Sequence, residues 1–198
     1  MTRTNLQSLL FGNDQLSKIT TGLESGDLIL YPTDTIWGIG CDATNPDSVE
    51  KVFELKKRDR SKPFVILVSS IEMLKEYVSE IHPRMHTLLS FHTRPLTVIY
   101  DQGIGLAENA IGRDGSAAIR VVQDDYCKQL INSFGKPIVA TSANISNQPF
   151  PGNFGEISSD VISGVDHVVR FRQEEKSLGE PSVLVKVEKN GEFIFLRE

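Results

Sequence analysis

The chain has 198 residues, 39% of them hydrophobic, and a formal net charge of −5. That length suits one domain with a single continuous core, so residues 1–198 are expected to fold as a unit, and the hydrophobic share excludes a disordered chain. No apolar run approaches the roughly 20 residues of a membrane span. Met1 to Gln7 is polar with no apolar leader, and Cys41 and Cys127 have neither zinc-type spacing nor the number for a disulfide framework. The cytoplasm is the expected location. An acidic domain also lacks the general attraction for phosphate that nucleic-acid binding rests on. The cations are nevertheless uneven, five of the 21 falling between Lys56 and Lys62. Local positive charge on an acidic protein suits a small anionic ligand better than a long duplex.

In chain order, Asn13 or Asp14 can cap a first helix with Leu16, Ile19 and Leu23 on one face, ended by Gly26. A strand over 28–31 runs into Pro32 and a Thr-Asp-Thr turn, followed by an extended piece around 36–42 spaced by Gly38 and Gly40. Asp47 can cap a second helix with Val49, Val52 and Phe53 inward and with Lys56 and Arg58 at or just beyond its last turn. Substituting either cation there is expected to shift stability by no more than about 0.5 kcal/mol, as for other surface changes. Phe64 to Val68 reads as a strand buried on both faces, and helices fit 71–79 and 84–91. Leu96–Tyr100 and Ala117–Val122 read as strands either side of a glycine-containing loop. Asp124 caps a helix that Gly135 closes, and Ile138–Ala140 is a short buried strand leading into Thr141-Ser142-Ala143-Asn144. Val165–Phe171, Ser182–Val187 and Phe193–Arg197 read as strands, the last two joined by Asn190-Gly191 as a hairpin. The mixed order predicts an α/β fold: a twisted sheet with parallel and antiparallel pairs, flanked by helices.

Two strands end in hydroxyl-rich turns, and ligands of open α/β sheets gather at such strand ends. Thr33 and Thr35 can donate and accept hydrogen bonds, while the lysines and arginines can neutralise phosphate or carboxylate. There is no GxxxxGK[ST] run, no GxGxxG opening a helix, no HExxH and no GxSxG. No metal-ligating cluster is expected from His82, His86, His92 or His167, and Cys41 reads as a packed thiol.

These residues also carry a family likeness. YPTDTIWGIG resembles the YPTxTxYGLG signature of the YrdC-like threonylcarbamoyl-AMP synthases, Lys56-Lys57-Arg58 their KxR element and Ser142-Ala143-Asn144 their SxN element. Ser116–Arg120, Pro181–Val185 and Leu196-Arg197 match three further elements in order, so the likeness covers nearly the whole chain. Departures are Asp59 where proline is usual, Leu67 where longer members have a histidine, Arg94 in place of a glycine, Phe150 where serine is frequent, and the charged stretch 171–176.

The resemblance implies a YrdC-like fold around a concave basic cavity. It implies an enzyme that makes threonylcarbamoyl-AMP and pyrophosphate from L-threonine, bicarbonate and ATP, with Mg²⁺ accompanying the ATP. The product would feed the t6A modification of tRNA through separate transfer proteins, with at most a weak contact to tRNA itself. It implies Lys56 and Arg58 on the phosphates and carbamate, Ser142 and Asn144 orienting the nucleotide phosphate, and Ser116 and Arg197 as further ATP contacts. Thr35, Arg120 and Ser182 would hold the threonine, Arg120 as the bidentate partner of its carboxylate. A rival reading is a non-catalytic module of the same fold that binds double-stranded RNA or nucleotide. The charge of −5 and the lack of an aromatic-basic stripe weigh against it. A third is a sibling carbamoyl- or adenylyl-transfer enzyme acting on another amino acid.

Overall fold

The computed structural model describes residues 13–176, 179–188 and 191–197. Among them, nine strands form one sheet: β1 (Ile29–Tyr31), β2 (Gly38–Gly40), β3 (Val65–Val68), β4 (Leu96–Tyr100), β5 (Ala117–Val121), β6 (Ile138–Ser142), β7 (His167–Val168), β8 (Val183–Val187) and β9 (Phe193–Arg197). Their order across the sheet is β7-β1-β2-β6-β3-β5-β4-β8-β9. Pairs β1–β7, β3–β5 and β4–β8 are parallel, and the rest are antiparallel. The mixed sheet is the one the alternation of elements predicts.

The helices are α1 (Asn13–Glu24), α2 (Pro46–Lys56), α3 (Ile71–Tyr77), α4 (Pro83–Phe91), α5 (Asp125–Phe134) and α6 (Ser159–Gly164). β3 shows why both faces of the sheet must be covered. Its Leu67 packs with α1 and α5 through Ile19, Leu23, Leu130 and Phe134. Its Ile66 and Val68 turn the other way, into the cluster holding Val49, Val52 and Phe53 of α2 and Leu74 of α3. Period-two alternation thus feeds two cores from one strand, and each fully buried aliphatic chain there stabilises the fold by about 2 kcal/mol.

Glycine in β2 answers a close approach. A Cβ at Gly40 would lie 2.6 Å from the Tyr31 ring and 2.8 Å from the Val139 carbonyl oxygen. The Tyr31 ring fills that space so that its hydroxyl can donate to Val139 O at 3.1 Å. Only glycine lets β2 lie between its neighbours with the tyrosine beneath it.

Several expectations are corrected. The cap of α2 is Asn45, whose side chain accepts from Asp47 N and Ser48 N, with Pro46 in the first turn. Asp47 is helical. The strand expected over Val165–Phe171 shrinks to His167–Val168, because Val169 N makes the last bond to β1 at Leu30 O and the chain then turns through Arg172 at φ 61. Helix α6 and a 3₁₀ turn at Phe154–Glu156 lie between Asn144 and Val165, where the sequence reading assigns no element. Six and three residues are too few to establish a helical period. Gly191 N bonds Glu188 O at 2.8 Å, closing the β8–β9 hairpin; Asn190 lies outside the described residues.

Candidate active site

The end of α2 directs two neighbouring cations to different places. Lys57 adopts a left-handed conformation (φ 49), and the N–H groups of Lys57 and Arg58 return to the carbonyls of Glu54 and Phe53 at 3.1 and 3.0 Å. Lys56, the last helical residue, points inward and is 1% exposed. Its Nζ donates to Ser142 O and Asn144 O, both at 2.5 Å, and to Asn144 Oδ1 at 3.2 Å. Three ammonium protons meet three acceptors. The Lys56 carbonyl in turn accepts from Ser146 N at 2.9 Å, so the turn after β6 is held to α2 through both side chain and backbone. Burial, with the charge of Arg58 second, pushes the Lys56 ammonium down to about 7.

Arg58 faces a cavity instead. Its guanidinium donates to Lys62 O at 3.2 Å and Pro63 O at 2.9 Å and lies 4.8 Å over the Phe64 ring. Asp59 forms a small turn of its own, accepting from Ser61 N at 2.9 Å; this aspartate holds the bend where the resemblance leads one to look for proline.

On the opposite wall Arg120 of β5 is 3% exposed. It reaches the turn after β1 twice, with Nη2 3.3 Å from Asp34 Oδ1 and Nη1 donating to Thr35 Oγ1 at 3.1 Å. Thr33 Oγ1 lies 2.8 Å from Thr35 Oγ1 and donates to Ile36 O at 2.8 Å. With one proton per hydroxyl, Thr35 then donates to Thr33 and accepts from Arg120. Arg120 Nε is buried without a hydrogen-bond partner among the described residues. At the start of β8, Ser182 Oγ and Thr97 Oγ1 are 2.7 Å apart. Arg197 donates to Ser182 O at 2.9 Å and Ser182 Oγ at 3.3 Å. Burial lowers the pKa of Arg197, and the charge of Arg120 lowers it further.

These walls enclose one cavity of about 260 Å³. Thr35, Arg58, Arg120, Ser142, Ser182 and Arg197 all line it. Of the other sequence candidates, Lys56 and Asn144 lie behind Ser142, whose hydroxyl donates to Asn144 Oδ1 at 2.5 Å. Ser116 is not part of the lining; its hydroxyl donates to Asp114 Oδ1 at 2.6 Å. The side chain of Lys56 is thus a buried clamp on the Ser142 turn, where the sequence placed a surface cation. Sequence reasoning also missed Asp34, which sits inside the TDT turn yet pairs with Arg120, and Thr97, which orients Ser182. Gly179 was missed as well: its backbone presses against the Thr35 carbonyl, where no side chain fits. The aspartate between two threonines was the one legible signal among these.

The Sua5/YciO/YrdC family model, whose description is telomere recombination, matches residues 21–198. The chain belongs to that family. It is 32% identical over 139 residues to a threonylcarbamoyl-AMP synthase of Vibrio parahaemolyticus, covering 69% of this chain and 75% of that one. P. abyssi Sua5 complexed with L-threonine superposes with a TM-score of 0.80 at 25% identity over 92% of this chain and 53% of its own. E. coli YciO gives a TM-score of 0.79 at 16% identity over 92% and 88%, a likeness of fold. The chain therefore spans about half the length of the Sua5 structure and most of YciO. In this chain the cavity brings together Arg58 of the KxR element, Ser142 of the SxN element and Arg197 of the closing LR, which lie up to 139 residues apart in the sequence.

Proposed function

We propose that this chain is an L-threonylcarbamoyladenylate synthase. The observation that carries the reading is that Arg58, Arg120 and Arg197 converge with Ser142, Ser182 and Thr35 on a single cavity. Three fixed cations beside three hydroxyls suit a reaction in which anions must crowd together. The amine of L-threonine combines with bicarbonate, losing water, to form a carbamate. A carbamate oxygen then attacks the α-phosphorus of ATP, and pyrophosphate leaves. Nothing in that sequence needs a covalent bond to the protein; it needs positioning and neutralised charge.

Arg120 takes the threonine carboxylate with the donors left over from Asp34 and Thr35, and Thr35 and Ser182 complete the amino-acid side. Arg58 and Ser142 take the nucleotide phosphates, with Arg197 between the two halves. Lys56 and Asn144 act from behind by holding the Ser142 hydroxyl and carbonyl in place. ATP enters as its magnesium complex. Among the described residues the cavity lining holds no carboxylate, and Asp34 nearby is tied to Arg120, so the magnesium ion would be held by the nucleotide's own phosphates and would supply charge neutralisation there. In the cytoplasm the mixed anhydride product is handed to separate proteins that transfer threonylcarbamoyl to tRNA.

The test is pyrophosphate release with L-threonine, bicarbonate and ATP all present and with each omitted in turn. The proposal expects release only with all three. Release that ignores threonine, or that follows a different amino acid, would replace it with the sibling reading.

A further inference from the structure

We infer that Phe150 is the platform on which the base of the nucleotide stacks, an inference that rests on the synthase reading above. Six large apolar side chains are exposed among the described residues, and Phe150 alone of these lines the cavity. The residue is 46% exposed. An aromatic face left in water at the rim of a charged cavity is matched by the π-face of a nucleobase, and such stacking depends little on which base is offered.

The loop holds the ring ready. Pro149 and Pro151 flank it with their fixed φ. Upstream, Asn147 turns the chain at φ 68 and Gln148 O accepts from Asn144 Nδ2 at 2.6 Å. Downstream, Gly152 N and Asn153 Nδ2 both donate to the Glu156 carboxylate, at 2.8 and 2.7 Å. A platform already ordered loses little entropy on binding. Asn144 also accepts from Ser142 Oγ, so two hydrogen bonds link the segment carrying the ring to the hydroxyl assigned to the phosphate. Pro63, Phe64 and Pro181 share the lining and give the base apolar surroundings. The Arg58 guanidinium over the Phe64 ring marks where the charged and apolar parts of the cavity meet.

The experiment is calorimetric titration of wild type, Phe150→Ala and Phe150→Tyr with ATP and with inorganic tripolyphosphate, which carries a charged tail and no base. Stacking predicts that Phe150→Ala raises the Kd for ATP about tenfold, leaves the Kd for tripolyphosphate unchanged, and that Phe150→Tyr behaves as wild type. Unchanged ATP affinity in Phe150→Ala overturns the inference, and so does an equal loss for both ligands, which would make Phe150 only a support for the phosphate loop. The two readings fail separately. A wild type that makes pyrophosphate while Phe150→Ala binds ATP undiminished loses the platform and keeps the synthase. A wild type that makes no threonine-dependent pyrophosphate loses the synthase, and the contrast between ATP and tripolyphosphate still decides the platform.

Discussion

The two sides of the cavity hold their polar groups in different ways. On the α2–β6 side the supporting groups are saturated: buried Lys56 gives all three protons to the Ser142 turn, and half-buried Asn144 bridges Ser142 to Gln148. On the β8–β9 side the polar groups hang from the last strand of the sheet, whose Ile194, Phe195 and Leu196 are 41%, 51% and 55% exposed. Arg197 reaches inward from that edge by two hydrogen bonds to Ser182. The first side is positioned by burial and is insensitive to what enters. The second is positioned by one hairpin, whose strand ends open most readily. Substitutions of the supporting groups behind the first side should therefore damage folding and activity together, and substitutions of the cations that face the cavity, Arg58 and Arg197, activity alone.

The largest effect is expected at Lys56. Lys56→Ala strips the Ser142 and Asn144 carbonyls of a buried donor and opens a void, which should cost about 3 kcal/mol of stability and on the order of 10²-fold in turnover. Thermal melting beside pyrophosphate release measures both; a melting temperature within a degree of wild type would mean that the clamp does not exist. A pH signature accompanies it. The folded Lys56 pKa is lowered to about 7 from its ordinary 10.5, so between those values the unfolded chain holds a proton that the folded chain has released. Stability from this group therefore rises with pH from about 7 towards 10.5 and is lowest below 7. Denaturant midpoints at pH 6.5 and 9 should separate for wild type more than for Lys56→Met, and parallel shifts would refute the assignment.

Arg58→Ala comes next. The side chain faces the cavity and makes two bonds to nearby carbonyls. Turnover is expected to fall about 10²-fold with a stability change of only about 0.5 kcal/mol. Should both fall as steeply as for Lys56, the contrast between buried clamp and cavity cation disappears.

Arg197→Ala tests the edge. Loss of one charged contact from a partly exposed strand should raise KM about tenfold, the low end of the range for a hydrogen bond to a charged group, and leave the melting temperature unchanged. An unaltered KM for both ATP and threonine would remove Arg197 from the site.

The smallest effect is reserved for Lys57. It is exposed, and its left-handed conformation suits glycine better than lysine. Lys57→Gly should keep full activity and gain at most about 0.5 kcal/mol. Loss of activity there would show that more of the basic run than Arg58 faces the substrates.

Much of this was legible in the chain itself. The cap at Asp124 and the closure at Gly135 delimit α5 as read, and β4 spans the five residues its apolar run suggested. Local rules suffice there because caps and turns act within four residues of themselves. The motifs also named six residues that line the cavity, since each sits near a strand end or, for Arg58, just beyond the end of α2. What failed were judgements of exposure. A lysine in a run of five cations looks like solvated surface, and α2 alone offers no partner for it.

The sequence by itself determined the mixed α/β class, the elements of the central sheet and the short motifs that bear hydroxyls and cations, because periodicity and turn chemistry are written locally. Only the tertiary structure decided that Lys56 is buried and Arg58 is not, that Asp34 is the partner of Arg120, and that Ser116 lies outside the cavity. Each of these is a contact between residues that are 85 or more positions apart, or the lack of one. A charge's environment is set by what the sheet brings beside it, and no stretch of chain carries that information alone.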